Sequence, residues 1–455
     1  MLAAEEQKLL ACIHCGLCLE ACPTYVITGD ENDGPRGRLY LMRAVVEGRL
    51  ASESESFERH IDRCLGCRAC EQVCPAGVEY GQLLEAARGE LFASGPSRGP
   101  SYALLRFVLR HVWLHPVRLR FAFSMARVFR NAGIARVLLR SGIAKLLSRR
   151  VEFGLALLDS SAGKQFKTSE EQPEFTGVES LAGQDALLFT GCVGAGLFSR
   201  VNEATGRVLE ANGFTVNAPP QQVCCGALHA HAGDLEGART LARKNLQAFS
   251  SDEGAPIITN AGGCGAMLTS YAHLFEHDET LAGVAQRFSA RVQDVSQQLE
   301  TIVPRTGADL PAETVTYDAS CHLLYGQHAG EAPLKIVGAV PGLNFAKLEG
   351  SERCCGGAGI YNLMEPEMSS KVLDEKLANI KNTGAQVLAT GNPGCQMHIG
   401  AGARLAGLKL TVCHPVELLD ESYRRAGFYE VTEPSAVAPD PRGGVGPSLD
   451  RHGIK

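Results

Sequence analysis

Long apolar runs are missing from this sequence of 455 residues. Its longest stretches without a charged side chain are Ala211–Gly233, Gly254–Phe275 and Asn382–Ala403. They are long enough to span a bilayer but are filled with Gly, Pro, Asn and Gln, so no transmembrane helix is expected. The chain starts Met-Leu-Ala-Ala-Glu-Glu-Gln-Lys, without the apolar core of a secretory signal. Tryptophan occurs once. The net charge of −6 excludes a basic, nucleic-acid-binding body. Apolar residues make up 45% and charged residues 21%, which is the balance of a globular protein. The length suggests about three domains.

One absence is local. From Leu91 to Arg150 there is no Asp or Glu, against 12 Lys and Arg. Phe107, Trp113, Phe121, Phe123 and Phe129 lie between the cations. Arg106/Arg110 and Arg136/Arg140 are spaced to share a helix face, and Pro116 divides the run into at least two helices. Such a segment suits a helical linker packed on its own acidic domains or on a partner subunit. It also suits an amphipathic layer on an anionic membrane.

Cysteine is the residue in excess. There are 17, an odd number in two clustered groups, which points to a reducing, cytoplasmic compartment and to thiolates that hold metal rather than each other. Residues 1–96 contain Cys12-x2-Cys15-x2-Cys18-x3-Cys22-Pro and Cys64-x2-Cys67-x2-Cys70-x3-Cys74-Pro. In this spacing three cysteines wrap one iron–sulfur cube, and the fourth, before proline, turns to the other cube. Cluster one is therefore expected on Cys12, Cys15, Cys18 and Cys74. Cluster two is expected on Cys64, Cys67, Cys70 and Cys22. Zinc sites use paired cysteines without the third step and the Cys-Pro. Asp33-Gly-Pro-Arg-Gly-Arg38, between the two groups, is either a structural turn or a source of positive charge near a cluster or a partner.

Residues 185–425 contain a duplication. Cys192, Cys224-Cys225-Gly226 and Cys264 recur as Cys321, Cys354-Cys355-Gly356 and Cys395. The matched spacing indicates a repeated unit. Strand-like runs (Ala186–Cys192, Pro256–Thr259, Thr314–Cys321, Gln386–Thr390) alternate with helical ones (Asn202–Glu210, Leu235–Phe249, Ser369–Lys381), so each half is expected to be α/β with a parallel sheet. Cysteines at the carboxyl ends of strands lie where such sheets bind ligands. Four thiolates per half, two of them adjacent, suit a cluster better than a tetrahedral zinc ion. Buried reduced thiols are the plain alternative. His229, His231, His322, His328 and His398 lie near these motifs, as ligands, proton carriers or ordinary hydrogen-bonding residues. Cys413 has no counterpart and is expected to be a buried structural thiol.

The expected architecture is multidomain. A mainly helical two-cluster ferredoxin-type domain spans 1–96 and a basic helical linker spans 97–184. Duplicated α/β CCG repeats span 185–305 and 306–425, and a disordered Pro/Gly-rich tail spans 434–455.

Together, Cys12-Ile-His-Cys-Gly-Leu-Cys18, Cys22-Pro-Thr-Tyr25, Asp33–Arg38, Arg63-Cys-Leu-Gly-Cys67, the CCG repeats and Gly394-Cys-Gln-Met-His398 resemble the iron–sulfur subunits of bacterial glycolate oxidase over about residues 10–422. Relatives include the C subunit of anaerobic glycerol-3-phosphate dehydrogenase, lactate-utilisation proteins and heterodisulfide reductase subunits. The resemblance implies an electron-transfer subunit with two [4Fe-4S] clusters and one or two more in the CCG repeats. It also implies a flavin-bearing partner that oxidises glycolate or another 2-hydroxy acid, and a membrane quinone or other acceptor. The chain would then lie at the inner face of the cytoplasmic membrane. No G-x-G-x-x-G joins a strand to a helix here, so the flavin is expected on the partner. The rival is a catalytic, heterodisulfide-reductase-like subunit. The cysteine that ends the fuller CCG pattern is Met267 in one half and His398 in the other, which favours electron transfer.

Overall fold

The computed structural model describes residues 2–93, 99–163, 184–252, 254–310 and 313–429. The tail expected to be disordered and much of the segment before residue 184 lie outside them.

The amino-terminal part is helical. Proline at the first turn pre-sets the backbone of Pro23–Thr28 and Pro35–Val46. The Ser54 hydroxyl accepts the Phe57 N–H and caps Glu55–Asp62. With Tyr80–Ala93 these helices enclose Leu39, Met42, Phe57, Ile61, Leu83 and Leu84.

Two four-stranded sheets follow. Strands β1 (Gln184–Leu188), β2 (Phe214–Asn217), β3 (Ile257–Thr259) and β4 (Val292–Asp294) are ordered β2-β1-β3-β4. Strands β5 (Thr314–Asp318), β6 (Asn344–Phe345), β7 (Val387–Thr390) and β8 (Thr411–Cys413) repeat that order as β6-β5-β7-β8. All pairs are parallel. Central strands β3 and β7 are buried throughout, as expected of a parallel sheet covered on both faces.

The strands leading to the cysteines are shorter than their apolar runs suggest. β1 ends at Leu188 and Cys192 opens a short helix, Cys192–Leu197. Gly191, at φ +66°, makes the turn between them. β5 ends at Asp318, and Cys321 is the entry to a helical turn. Each cysteine therefore sits just past the carboxyl edge of its sheet, facing a helix start.

One core joins the two halves, with Val201, Val208, Ile336, Val387 and Leu419 in the same cluster. Helix Ser199–Ala211 of the first half meets helix Pro415–Arg425 of the second. There Arg207 donates two bonds to Asp420, at 2.9 and 2.7 Å, and Arg200 pairs with Glu417 at 2.8 Å.

Helix Pro415–Arg425 is capped by His414, whose Nδ1 accepts the Val416 N–H at 3.1 Å. Burial pushes the His414 pKa down to about 3. Folding therefore excludes a proton that the unfolded chain binds near pH 6.5. Stability from this residue is complete above that pH and falls as pH drops towards 3, by about 1.4 kcal/mol per unit. Between pH 7 and pH 5 denaturant unfolding of His414→Asn, which keeps a cap, is expected to lose about 2 kcal/mol less than the parent. Equal losses would show that His414 carries no such linkage.

Candidate metal centres

The amino-terminal cysteines divide between two cavities. Cys12, Cys15, Cys18 and Cys74 line the first, together with Cys70, which borders both cavities. Cys22, Cys64, Cys67 and Cys70 line the second. The first is near the surface: Cys15 is exposed, and Leu10, Ile13 and Leu17 around it are at least half exposed. The second is buried under Leu65, Tyr80 and Arg38.

Donors surround the sulfurs of the second cavity. The Gly66 N–H is 3.4 Å from Cys64 Sγ and the Tyr80 hydroxyl 3.6 Å. Arg38 Nη1 is 3.9 Å from Cys22 Sγ, and the Thr24 hydroxyl, which donates to the Asp33 carbonyl at 2.7 Å, lies 3.2 Å from the same sulfur. Burial raises the thiol pKa values of Cys67 and Cys70, and neighbouring sulfurs add to it. Four crowded thiolates are unstable in such a place unless a cation neutralises them. Soft sulfur donors, apolar walls and inward N–H groups fit an iron–sulfur cluster.

The two arginines of Asp33–Arg38 have different tasks. Arg36 lies at the surface, on Glu31 and the His14 carbonyl. Arg38 is fully buried. It donates to the His60 carbonyl at 2.6 Å and to the Thr24 hydroxyl at 3.1 Å. Burial opposes its charge, but the fields of Cys64, Tyr80, Cys22 and Asp33 outweigh it and raise its pKa. Asp33, also fully buried, accepts from His60 at 2.8 Å and Arg63 at 2.7 Å. Burial disfavours its charge, yet these partners hold the carboxyl below its usual range. Gly37 is required by close packing, because a Cβ there would stand 2.1 Å from the Glu31 carbonyl oxygen.

In the first CCG repeat, Cys192 Sγ is 3.4 Å from Cys224 Sγ, and Cys225 Sγ is 3.5 Å from Cys264 Sγ. In the second, Cys355 Sγ is 3.3 Å from Cys395 Sγ, and Cys321 lies against Cys354. Each half thus gathers its four sulfurs at the carboxyl edge of its sheet. The Cys192–Cys224 thiol bond and burial raise the Cys192 pKa; the same two causes, from Cys355 and burial, raise Cys395. This donor set suits a metal centre as the second cavity does. Cys413 is buried in the main core, away from both groups.

The repeats differ around their sulfurs. In the second, Lys376 pairs with Asp318 at 2.8 Å, both buried, close to Cys354 and Cys355. In the first, Asn245 donates to the Cys224 carbonyl and the Tyr271 hydroxyl to the Cys225 carbonyl. Trp113, from the basic segment, packs on the core of that repeat beside Cys192.

Three contacts string the groups together. The ring of His322, next to Cys321, donates through Nε2 to the Gly66 carbonyl at 3.1 Å, within the Cys64–Cys67 loop. The Tyr361 hydroxyl donates to the Arg63 carbonyl at 2.8 Å, and Cys67, Cys321 and Cys354 share one apolar cluster with it. Asn392 donates to Cys395 Sγ at 3.5 Å while its carbonyl oxygen accepts the Gly263 N–H at 3.2 Å, one residue from Cys264. The sulfur groups therefore form a row: first cavity, second cavity, second repeat, first repeat. His322 stood out in the sequence only as a histidine beside a motif cysteine, without its link to Gly66, and Asn392 did not stand out.

The other histidines are held as structural residues. His229 Nδ1 donates to Asp234 at 2.9 Å. His231 lies tilted against His322 with ring centroids 5.2 Å apart. His398 lies between Asn362 and Ser369, its pKa lowered to about 3 by burial. His328 is exposed.

Residues 11–78 match the 4Fe-4S dicluster domain, and 186–269 and 315–400 match the cysteine-rich CCG domain. A dicluster module joined to two cysteine-rich repeats defines an iron–sulfur electron-transfer protein that carries multiple [4Fe-4S] clusters, a component of an oxidoreductase complex. The chain is 37% identical to the probable glycolate oxidase iron-sulfur subunit of Bacillus subtilis, covering 92% of this chain and 95% of that one. It is 29% identical to the glycolate oxidase iron-sulfur subunit of Escherichia coli, covering 93% and 96%. Lactate utilization protein A of an Exiguobacterium species is 32% identical over 53% of this chain and 99% of its own. The chain belongs to the family of glycolate oxidase iron–sulfur subunits. No helix among the described residues is long and apolar enough to cross a membrane.

Proposed function

We propose that this chain takes electrons from a flavin-bearing subunit that oxidises glycolate or a similar 2-hydroxy acid, and delivers them to a membrane quinone, working as a peripheral protein at the cytoplasmic face. Cys12, Cys15, Cys18 and Cys74 hold cluster one; Cys22, Cys64, Cys67 and Cys70 hold cluster two. Cys192, Cys224, Cys225 and Cys264 hold a third, and Cys321, Cys354, Cys355 and Cys395 a fourth. Bound clusters supply one-electron storage, which divides the two electrons of a reduced flavin.

The observation that carries this reading is the unbroken row of sulfur groups. Its surface end, around exposed Cys15 with Leu10, Ile13 and Leu17, suits a docked donor. Its far end lies against Trp113 of the basic segment. Gly66, Tyr80 and Arg38 orient donors on the sulfurs of cluster two, and Asn392 does so for Cys395.

Anaerobic addition of glycolate or D-lactate to the complex with its flavin subunit is expected to bleach the cluster absorbance of this chain and to raise reduced-cluster electron paramagnetic resonance signals. Flavin reduction with every cluster left oxidised would sink the proposal. The catalytic alternative predicts reduction of a disulfide substrate by this chain alone, and finds Met267 and His398 where the fuller motif ends in cysteine.

A further inference from the structure

We propose that the outer face of the basic segment, from Pro100 to Leu147, is a lipid-binding surface that lies on an anionic bilayer and holds the first CCG repeat beside it. This deepens the peripheral-membrane reading above and rests on it.

The segment folds as a layer of short helices: Pro100–Val108, Pro116–Asn131, Ile134–Arg140 and Ile143–Leu147. The longest is apolar on two opposite sides. Leu119, Phe123 and Ala126 turn inward, the latter two onto the core shared by the repeats. Val117, Phe121, Met125 and Val128, at i, i+4, i+8 and i+11, form the opposite stripe. They are 71, 68, 53 and 63% exposed. Leu146, two short helices on, is 87% exposed. More than half of the exposed large apolar side chains among the described residues lie between Leu104 and Val151.

Charge identifies what covers this face. The layer has no acidic residue. Arg118 and Arg120 flank the Val117/Phe121 stripe, and Arg120, Arg140, Lys145 and Arg149 ion-pair with no acidic residue among those described. An apolar stripe edged by arginine is the pattern of a helix lying in the headgroup plane, where anionic lipids meet the cations and acyl chains meet the stripe. None of these helices is long enough to span, so the layer lies on the bilayer. Trp113, in the turn before the striped helix, packs on the core of the first repeat beside Cys192. The far end of the sulfur row is thereby one side chain from the layer that would meet lipid.

The test is co-sedimentation of the cluster-loaded full chain with vesicles of phosphatidylcholine alone or with a quarter phosphatidylglycerol. Binding to the anionic vesicles is expected to be at least about tenfold stronger, and to weaken in high salt. Val117→Glu with Phe121→Glu is expected to lose at least about tenfold of that binding with iron content and monomer mass unchanged. Arg118→Gln with Arg120→Gln is expected to lose the anionic preference. No binding to either vesicle, or equal binding by the parent and the Glu variant, overturns the proposal, as does loss of flavin-subunit binding in the Glu variant without loss of vesicle binding. Cluster reduction by the flavin subunit in vesicle-free solution tests the underlying electron-transfer reading separately.

Discussion

Protein with Cys354→Ser and Cys355→Ser is expected to purify with about four fewer irons per chain and to lose nearly all electron delivery to quinone. Both residues are buried in the second repeat, where Cys355 faces Cys395 and Cys354 faces Cys321. Serine keeps the volume but is a poor soft-metal ligand. The position matters more than the count, because the second repeat stands between the second cavity, through Cys67 and His322, and the first repeat, through Asn392. The account therefore predicts a divided result. Substrate should still reduce the flavin and the amino-terminal clusters, while quinone reduction drops by at least about 100-fold. Unchanged iron with unchanged quinone reduction would show that the second repeat holds no cluster on the path. Since the pair is buried, a misfolded variant is a real outcome of the substitution. Cys413→Ser, also buried but outside both sulfur groups, separates the cases, because it should keep its iron and its activity.

Arg38→Gln is expected to lower the reduction potential of cluster two and to destabilise the fold. The guanidinium is fully buried beside Cys22, with no water to screen it. A unit charge roughly 6 Å away in an effective dielectric of about 20 is worth about 3 kcal/mol, or on the order of 100 mV for one electron. Removing it disfavours the added electron, so the potential should fall by that order in a potentiometric titration followed by electron paramagnetic resonance. It also removes one of the cations that face Asp33, 3.8 Å away, leaving Arg63 and His60 to hold that carboxylate. Breaking a buried pair costs about 3–5 kcal/mol, and the remaining partners place the expected loss at the lower end. Arg38→Lys keeps the charge but not the fork that reaches the His60 carbonyl and Thr24 together. It should restore most of the potential and little of the stability. A potential unmoved by Arg38→Gln would limit Arg38 to holding the turn.

What could be read from the sequence was what is local. Eight cysteines at three-residue steps before proline declare their chemistry within a dozen residues, and the two CCG motifs show the duplication by their spacing. The central strands could be read because β3 and β7 are continuous short apolar runs. The edge strands were not: Asn344–Phe345 has two residues, both exposed, and carries no pattern. The links between sites were hidden for a different reason. His322 finds Gly66 from 256 residues away, and Asn392 finds Gly263 from 129. Neither residue type marks itself at such a distance. The Asp33–Arg38 turn left two readings open, and the fold divides them, with Arg36 at the surface and Arg38 under the sulfurs. The basic segment likewise has an inner face that packs as a linker does and an outer one that stays apolar and exposed.

The claim on which the rest depends is that all four sulfur groups hold clusters. Iron, zinc and acid-labile sulfide per chain, measured on anaerobically purified protein, test it most directly. About sixteen irons and sixteen sulfides with no zinc are expected. About eight irons, or zinc in place of the second eight, would confine the clusters to the amino-terminal cysteines and contradict a row that runs through the repeats.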